Sequence, residues 1–203
     1  MKRYSEKELD ALADILKNDG VISVPTDTVY GICARINSKK AFDKLVEVKE
    51  RPANKSFPVV CLNEEQIREI AIITPEAEKL IQAFMPGPIT LVLKKKMEAF
   101  SYINNAGERL SDELAVRMAP LKVLEKLLEK TESPLFLTSA NISGKETCNN
   151  LEDIEKTFPT IDGILEGNVS FGQSSTIVDC TSCPIKIQRP GPITEEEINK
   201  VLE

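Results

Sequence analysis

The chain has 203 residues, of which 41% are hydrophobic, and this length fits one large domain spanning residues 1–203 better than two small ones. Its 26 basic and 32 acidic residues give a net charge of −6, which disfavours a dedicated nucleic-acid binder that gains affinity by neutralising phosphates. The sequence contains no histidine, which excludes Ser-His and Cys-His catalytic pairs.

The N-terminal quarter predicts alternating helices and strands. A capping-box pattern at Ser5 precedes apolar residues at helical spacing and predicts a first helix that ends before Gly20. The apolar run Val21 to Val24 predicts a buried strand that leads into the loop PTDTVYG. A second helix is expected from Ser38 to Val48 by the same reasoning.

The rest of the chain continues this alternation. After the loop KERPANKS we expect the strand FPVVCL, helices capped by Asn63 and Thr74, the strand ITLVL, a polar excursion AFSYINNAGERLSDE, the strand ELAVRM and the helix PLKVLEKLLEK. The strand LFLT, the loop TSANISG, a short helix after Asn150, strands near Ile161, Ser175 and Ile185, and a terminal helix capped by Thr194 follow. The pattern predicts an α/β domain with a twisted, open, largely parallel or mixed sheet and flanking helices.

The cysteine count and the lengths of the apolar runs predict that the protein is cytoplasmic. Five cysteines are an odd number without a disulfide-like framework, and the N-terminus MKRYSEKELD has no apolar signal region. No apolar run approaches the ~20 residues needed to span a bilayer. A lone CxxC at Cys180 without a second pair or a histidine disfavours a zinc site. We therefore expect a reduced, cytoplasmic protein with no membrane segment and no metal-ligating residues.

Polar and basic side chains collect in stretches at the ends of predicted strands: PTDTVYG, KERPANK, AVRM, TSANISG, and SSTIVD with IQRPG. Ligands of open α/β sheets bind at such ends, which predicts one anionic ligand and one small polar ligand. The candidates to meet phosphates are Lys49, Arg51, Lys55 and Arg189. Arg117 suits a carboxylate in bidentate geometry, and the candidates to hold the small ligand are the hydroxyls of Thr28, Ser139 and Ser175.

Each of these stretches also has a structural interpretation. Basic residues near a helix end often only complement the helix dipole, and this is as good an explanation of KERPANK taken alone. Thr26, Asp27 and Thr28 could form only a turn or a helix cap. Arg117 lies between apolar neighbours and needs an anionic partner, which a structural carboxylate could equally provide.

Taken together, the motifs resemble the YrdC/Sua5 family, the threonylcarbamoyl-AMP synthases of tRNA modification. The resemblance runs from Gly20 to about Ile193, and the motifs that carry it, in family order, are GVISVPTDTVYG, KERP, MPGPITLVL, LAVRM, PLFLTSANISG, SSTIVD and QRPG. The length is similar to that of the single-domain form. The resemblance implies a YrdC-like twisted α/β sheet with a concave basic cavity.

The resemblance also implies an activity and a set of ligands. The reaction would join L-threonine, bicarbonate and ATP, accompanied by Mg²⁺, into L-threonylcarbamoyladenylate with release of pyrophosphate. A tRNA threonylcarbamoyl transferase would use the product, and weak tRNA binding is compatible with this role. By resemblance, the threonine and its carbamate are held by Thr28, Arg117, Ser139 and Ser175. ATP is held by Arg51, Lys55, Asn141, Asn149 and Arg189, with Lys49 beside them.

The missing histidine is compatible with this chemistry. A carbamate is already an anion, so its oxygen can attack the α-phosphorus without a strong general base, and catalysis then rests on positioning and charge stabilisation. No residue is assigned a catalytic role. One departure from the family is Val60, which stands where many members carry a histidine and predicts weaker discrimination between threonine and serine.

Two alternatives share the fold. One is a YciO-like paralogue, and the other is a module that binds double-stranded RNA or tRNA in the same basic cavity. TSANISG and PGPIT favour the synthase branch, because the paralogue departs from both. The net negative charge disfavours the RNA-binding alternative.

Overall fold

The computed structural model describes residues 1–51, 57–96, 112–118, 121–169 and 174–203. Lys55 and most of the polar excursion AFSYINNAGERLSDE lie outside the described residues. The helices within the described ranges are α1 (Leu9–Lys17), α2 (Lys39–Lys49), α3 (Glu64–Ile70), α4 (Pro75–Phe84), α5 (Lys122–Thr131), α6 (Leu151–Thr157) and α7 (Glu195–Leu202), and a 3-10 turn at Glu6–Glu8 precedes α1.

Side-chain caps explain where most of these helices begin. Ser38 accepts a hydrogen bond from the Ala41 backbone N–H, and Asn63, Thr74, Asn150 and Thr194 make the equivalent bond at the starts of α3, α4, α6 and α7. Each cap satisfies an N–H group that has no partner inside its helix. The predicted starts of these helices are therefore confirmed.

The strands are β1 (Arg3–Tyr4), β2 (Ile22–Pro25), β3 (Tyr30–Arg35), β4 (Val59–Val60), β5 (Ala71–Ile72), β6 (Ile89–Lys95), β7 (Glu113–Arg117), β8 (Leu135–Ser139), β9 (Gly163–Leu165), β10 (Thr176–Asp179) and β11 (Lys186–Arg189). Within the described residues they form one sheet in the order β1-β9-β2-β3-β8-β4-β7-β6-β10-β11, and β5 pairs with β6. Parallel neighbours such as β6 and β10 alternate with antiparallel neighbours such as β3 and β8. The predicted mixed sheet is confirmed.

Three strands were missed, and two predicted segments were given the wrong extent. β1, β3 and β5 had no counterpart in the sequence analysis. PTDTVYG is not wholly a loop, because Tyr30 and Gly31 already belong to β3, which pairs antiparallel with β2. Only Val59 and Val60 of the expected strand FPVVCL are in strand conformation. Short strands depend on their pairing partners, which a local pattern does not reveal.

The two faces of the sheet are covered differently. One face is packed by α2, α3, α4, α6 and α7 in a large apolar core that includes Ile32, Leu91, Val116 and Phe136. The other face carries a smaller core under α1 and α5, which includes Leu12, Leu124 and Leu135. Because strand side chains alternate between faces, the neighbours of the first set point towards the second face, which α1 and α5 cover only in part. No helix in the described residues is both long and apolar enough to cross a membrane.

Candidate functional site

A cavity of about 270 Å³ opens on the part of the second sheet face that α1 and α5 leave uncovered. Residues two apart in the chain line it: Ala115 and Arg117 on β7, Leu137 and Ser139 on β8, and Ser175 and Ile177 at the start of β10. Arg117 and Ser139 are the last residues of β7 and β8, so polar groups of strand ends gather at this open face of the sheet.

The structure brings together six of the ten predicted site residues. The cavity is lined by Thr28, Arg51, Arg117, Ser139, Ser175 and Arg189. The described cavity lining does not include Lys49, Asn141 or Asn149. Three arginines on one small cavity make it electropositive, although the chain as a whole is acidic.

The turn between β2 and β3 presents Thr28 to the cavity. The Thr26 hydroxyl donates to the Val29 carbonyl at 2.6 Å and accepts from the backbone N–H groups of Thr28 and Val29 at 3.2 Å. Thr26 is therefore a turn residue, as its structural interpretation stated. Thr28 is held beside it, with 3.2 Å between the two hydroxyl oxygens, and lines the cavity.

Arg117 is paired with the carboxylate of Asp27, which is the structural alternative that the sequence analysis left open. Its Nη2 donates to Asp27 Oδ2 at 2.7 Å and to the Gly87 carbonyl at 3.1 Å. The side chains are nearly buried, with exposed fractions of 11% for Arg117 and 13% for Asp27. The contact is single and not bidentate, since Arg117 Nε and Asp27 Oδ1 are buried and have no hydrogen-bond partner within the described residues.

Ser175 is held by two neighbours. Arg189 Nε and Nη2 donate to the Ser175 carbonyl at 3.1 and 2.8 Å, and Thr90 Oγ1 lies 2.8 Å from Ser175 Oγ. Burial and then the charge of Arg117 lower the pKa of Arg189, which shows that the two cations act on each other. Gly191 brings the RPG turn against this segment, because a Cβ there would lie 2.4 Å from the Thr176 nitrogen.

Thr90 is a cavity residue that the sequence analysis missed. It is a buried polar residue on β6, and its side chain lines the cavity beside Ser175. The signal was available in ITLVL, where one hydroxyl interrupts an apolar run. A buried hydroxyl needs a partner, so such an interruption indicates a polar neighbour.

Lys49 lies behind the cavity and supports the loop TSANISG. Its side chain is 1% exposed, and its ammonium donates to the Ser139 carbonyl at 2.5 Å and to the Asn141 carbonyl. A third contact, to Asn141 Oδ1, measures 3.3 Å. Burial and then the charge of Arg51 lower the pKa of Lys49 to about 8.

The side chain of Asn141 forms hydrogen bonds to other residues of the TSANISG segment and to the Lys145 carbonyl just after it. Its Oδ1 accepts from the Ser139 hydroxyl at 2.5 Å, and its Nδ2 donates to the carbonyls of Ile142 and Lys145 at 2.8 and 3.0 Å. Ser139 is thus oriented towards the cavity by Asn141. Asn149 is exposed, and its backbone N–H lies 3.4 Å from Asp153 Oδ2 at the start of α6.

Arg51 and Val60 occupy different environments. The Arg51 guanidinium lies over the Phe57 ring at 4.9 Å and lines the cavity, and burial lowers its pKa. Val60 is fully buried in the smaller core, where it neighbours Arg117 across the strand pair. Val60 is not among the cavity-lining residues that the structure describes, so its predicted effect on amino-acid discrimination stays a prediction.

The structure is that of an α/β protein with a mixed sheet, whose open face carries a cavity lined by arginines and hydroxyl-bearing residues. The chain belongs to the Sua5/YciO/YrdC family, since the family model, described as telomere recombination, matches residues 14–191. This confirms the family resemblance predicted from the motifs.

Two relatives within this family are proteins named threonylcarbamoyl-AMP synthase. The chain is 34% identical to the threonylcarbamoyl-AMP synthase of Pyrococcus abyssi, covering 99% of this chain and 59% of that protein. It is 30% identical to the threonylcarbamoyl-AMP synthase of Bacillus subtilis, covering 98% of this chain and 57% of that protein. The chain therefore spans less than two thirds of the length of these relatives.

Solved structures confirm the fold class. The structure of P. abyssi Sua5 complexed with L-threonine matches with a TM-score of 0.87 at 34% identity, covering 99% of this chain and 59% of that one. Escherichia coli YciO matches with a TM-score of 0.80 at 22% identity, covering 94% and 92% of the two chains, which shows a shared fold alone. The α/β architecture predicted from the sequence is thus that of the family.

Proposed function

We propose that the chain synthesises L-threonylcarbamoyladenylate from L-threonine, bicarbonate and ATP, with release of pyrophosphate, for threonylcarbamoyladenosine modification of tRNA. The observation that carries the proposal is the cavity, where hydroxyl-bearing residues, among them Thr28, Ser139 and Ser175, line the same space as three arginines. The similarity to proteins named threonylcarbamoyl-AMP synthase and to a threonine complex of Sua5 supports it.

The cavity has the size and the groups for the amino acid. A volume of about 270 Å³ lies just below the range of drug-sized pockets, so it suits threonine and leaves most of a nucleotide outside the described lining. Arg117 lines the cavity with a guanidinium that can donate to a carboxylate, and Thr28, Ser139 and Ser175 supply hydroxyls for the amino-acid side chain and the carbamate.

In this proposal Arg51 and Arg189, which line the same cavity, would meet the phosphates of ATP. The carbamate oxygen would attack the α-phosphorus, the bond from that phosphorus to the bridging oxygen would break, and pyrophosphate would leave. No strong base is needed, because the attacking oxygen already carries charge. The protein contributes orientation and positive charge, which stabilise the phosphoryl centre during transfer.

Mg²⁺ enters this proposal as part of the substrate MgATP. In the described part of the chain, no group of three or more His, Cys, Asp or Glu side chains is arranged to hold a metal ion. Mg²⁺ is commonly held by phosphates and water, so ATP can bring the ion without a protein cage. The free cysteines fit a reducing cytoplasm, where a tRNA threonylcarbamoyl transferase would take over the product.

Pyrophosphate release should require ATP, Mg²⁺, bicarbonate and threonine together, because the carbamate that attacks the phosphorus forms from threonine and bicarbonate. The purified protein is incubated with all four, and pyrophosphate and the adenylate are quantified by enzymatic assay and mass spectrometry. Mixtures that lack one component are the controls. Equal pyrophosphate release without threonine would contradict the proposal and favour a YciO-like paralogue.

Thr90→Val should raise KM for threonine about threefold to tenfold. Valine keeps the shape of the side chain but removes the hydroxyl 2.8 Å from Ser175 Oγ, and such a hydrogen bond contributes about 1 kcal/mol. Thr176→Val is the matched control, since its buried hydroxyl bonds the Ile193 backbone instead of a cavity side chain. The control should melt earlier with KM unchanged, and equal KM values for all three proteins would remove Thr90 from the site.

A further inference from the structure

The ion pair between Arg117 and Asp27 is built in a way that a purely structural pair would not need. Arg117 Nη2 contacts Asp27 Oδ2 at 2.7 Å, and there is no second hydrogen bond between the guanidinium and the carboxylate. Arg117 Nε and Asp27 Oδ1 are both buried and have no partner within the described residues. A side-by-side pair would satisfy both atoms, so the end-on contact leaves the hydrogen-bonding capacity of the arginine only partly used by its carboxylate.

Two separate segments hold the same nitrogen of Arg117. Asp27 comes from the turn between β2 and β3, and the Gly87 carbonyl, 3.1 Å from Nη2, comes from the turn before β6. A guanidinium is planar, so contacts that fix one terminal nitrogen from two sides also limit the direction of Nε. These contacts therefore fix the orientation of the whole guanidinium at the cavity.

Charge gives Asp27 a second effect. Arg117 and Arg189 line one cavity, and the charge of Arg117 contributes to the lowered pKa of Arg189. Like charges repel each other, and the Asp27 carboxylate, 2.7 Å from Arg117 Nη2, offsets this repulsion. Without the carboxylate, Arg117 would be free to turn away from its neighbour.

Asp27 itself does not form the described cavity lining, although Thr26 and Thr28 on either side of it do. It therefore acts through Arg117. We propose that Asp27 is a positioning residue that fixes the guanidinium of Arg117 at the cavity, where it meets the carboxylate of the amino-acid substrate. This inference rests on the proposed function for the identity of the substrate, and on the geometry of the ion pair for the role of Asp27.

The test is Asp27→Asn, which keeps an oxygen for Nη2 but removes the charge. We expect KM for threonine to rise about tenfold or more, because a misdirected donor loses most of a charge-assisted hydrogen bond, while KM for ATP and kcat change less than about twofold. Calorimetric titration with threonine alone should show the same loss of affinity.

Asp162→Asn is the matched control. Asp162 forms a half-buried ion pair with Lys44 at 2.6 Å and accepts from the Val21 backbone, away from the cavity residues. Both variants should melt earlier than the wild type, but only Asp27→Asn should lose threonine affinity. Unchanged threonine affinity in Asp27→Asn, together with a lowered Tm, would make Asp27 a structural brace and overturn the inference.

A second readout separates this inference from the proposed function. The Nε–H signal of Arg117 in NMR spectra, assigned through its loss in Arg117→Met, reports the orientation of the guanidinium without any substrate. It should shift and broaden or exchange faster with water in Asp27→Asn and stay in place in Asp162→Asn. If the wild type binds no threonine, the proposed function fails, and an unchanged Arg117 signal in Asp27→Asn would overturn the positioning role independently.

Discussion

Arg117→Met should lower kcat/KM for threonine by about 10- to 150-fold and destabilise the protein by about 3–5 kcal/mol. The loss of activity follows from removing a charge-assisted hydrogen bond to the substrate carboxylate. The loss of stability follows from the ion pair, because Asp27, 13% exposed, would remain as a buried charge without its partner.

The two effects have different causes, and a second substitution separates them. Arg117→Met combined with Asp27→Asn removes the stranded charge as well as the arginine. The double variant should recover most of the lost stability, measured by urea unfolding, since the burial of an unpaired charge is what costs free energy. It should not recover threonine turnover, measured at saturating ATP, because no donor for the carboxylate returns.

Other outcomes would have clear meanings. A double variant that regains threonine turnover along with stability would show that Arg117 acts only through folding. A single variant that folds as well as the wild type would show that Asp27 is adequately solvated. Thr28→Val offers a comparison within the cavity, because it removes a threonine-facing hydroxyl without leaving a charge behind.

The sequence predicted most helices because their signals are local. The caps at Ser38, Asn63 and Thr74 lie next to the helices they begin, and each forms the hydrogen bond that the pattern indicated. The strand β1 pairs with β9, about 160 residues away in the chain, and β5 gains its conformation from pairing with β6. Nothing within Arg3–Tyr4 or Ala71–Ile72 could specify those partners.

The sequence predicted which residue types form the site, but not how deeply each side chain is buried. Arg117 ends β7 and lines the cavity, as its polar character among apolar neighbours indicated, and Ser139 and Ser175 line the same cavity from the end of β8 and from just before β10. Lys49 and Arg51 are basic residues two positions apart, and the sequence does not distinguish their environments. In the structure Lys49, at the end of α2, is buried, whereas Arg51, just after α2, lines the cavity. Which of two neighbouring cations meets solvent depends on tertiary packing.

The burial of Lys49 has a large expected effect on activity. Its ammonium supports two carbonyls and one amide oxygen of the loop that orients Ser139. Its pKa of about 8, against a usual value of 10.5, means that burial makes the charged form costly by about 3 kcal/mol. Its removal would forfeit three hydrogen bonds, but the Ser139 carbonyl still accepts from the Asn141 backbone N–H and Asn141 Oδ1 still accepts from the Ser139 hydroxyl. The loss is then about 1 kcal/mol for each bond, so the two contributions to stability nearly cancel.

The sign of the pH effect follows from linkage. Between pH 8 and pH 10.5 the folded protein has released the Lys49 proton and the unfolded chain has not, so the unfolded state binds more protons. The contribution of this group to stability therefore rises with pH across that window and is lost as the pH falls through 8. Activity should change in the opposite direction, because a neutral amine has one donor fewer than the three oxygens require.

Lys49→Met should therefore lower kcat/KM about 100-fold while changing the Tm by only a few degrees, since a displaced loop misplaces Ser139 and small misplacements cost about that factor. In the wild type, kcat/KM should bend downward near pH 8, and the variant should lack that bend. Threonine's own amine titrates alike in both proteins, so the difference between the two profiles isolates Lys49. Lys95→Met is the matched control, because Lys95 is also buried but lies at the far end of β6 from Thr90. It should keep the bend near pH 8, and a bend that persists in Lys49→Met would assign the titration to another group.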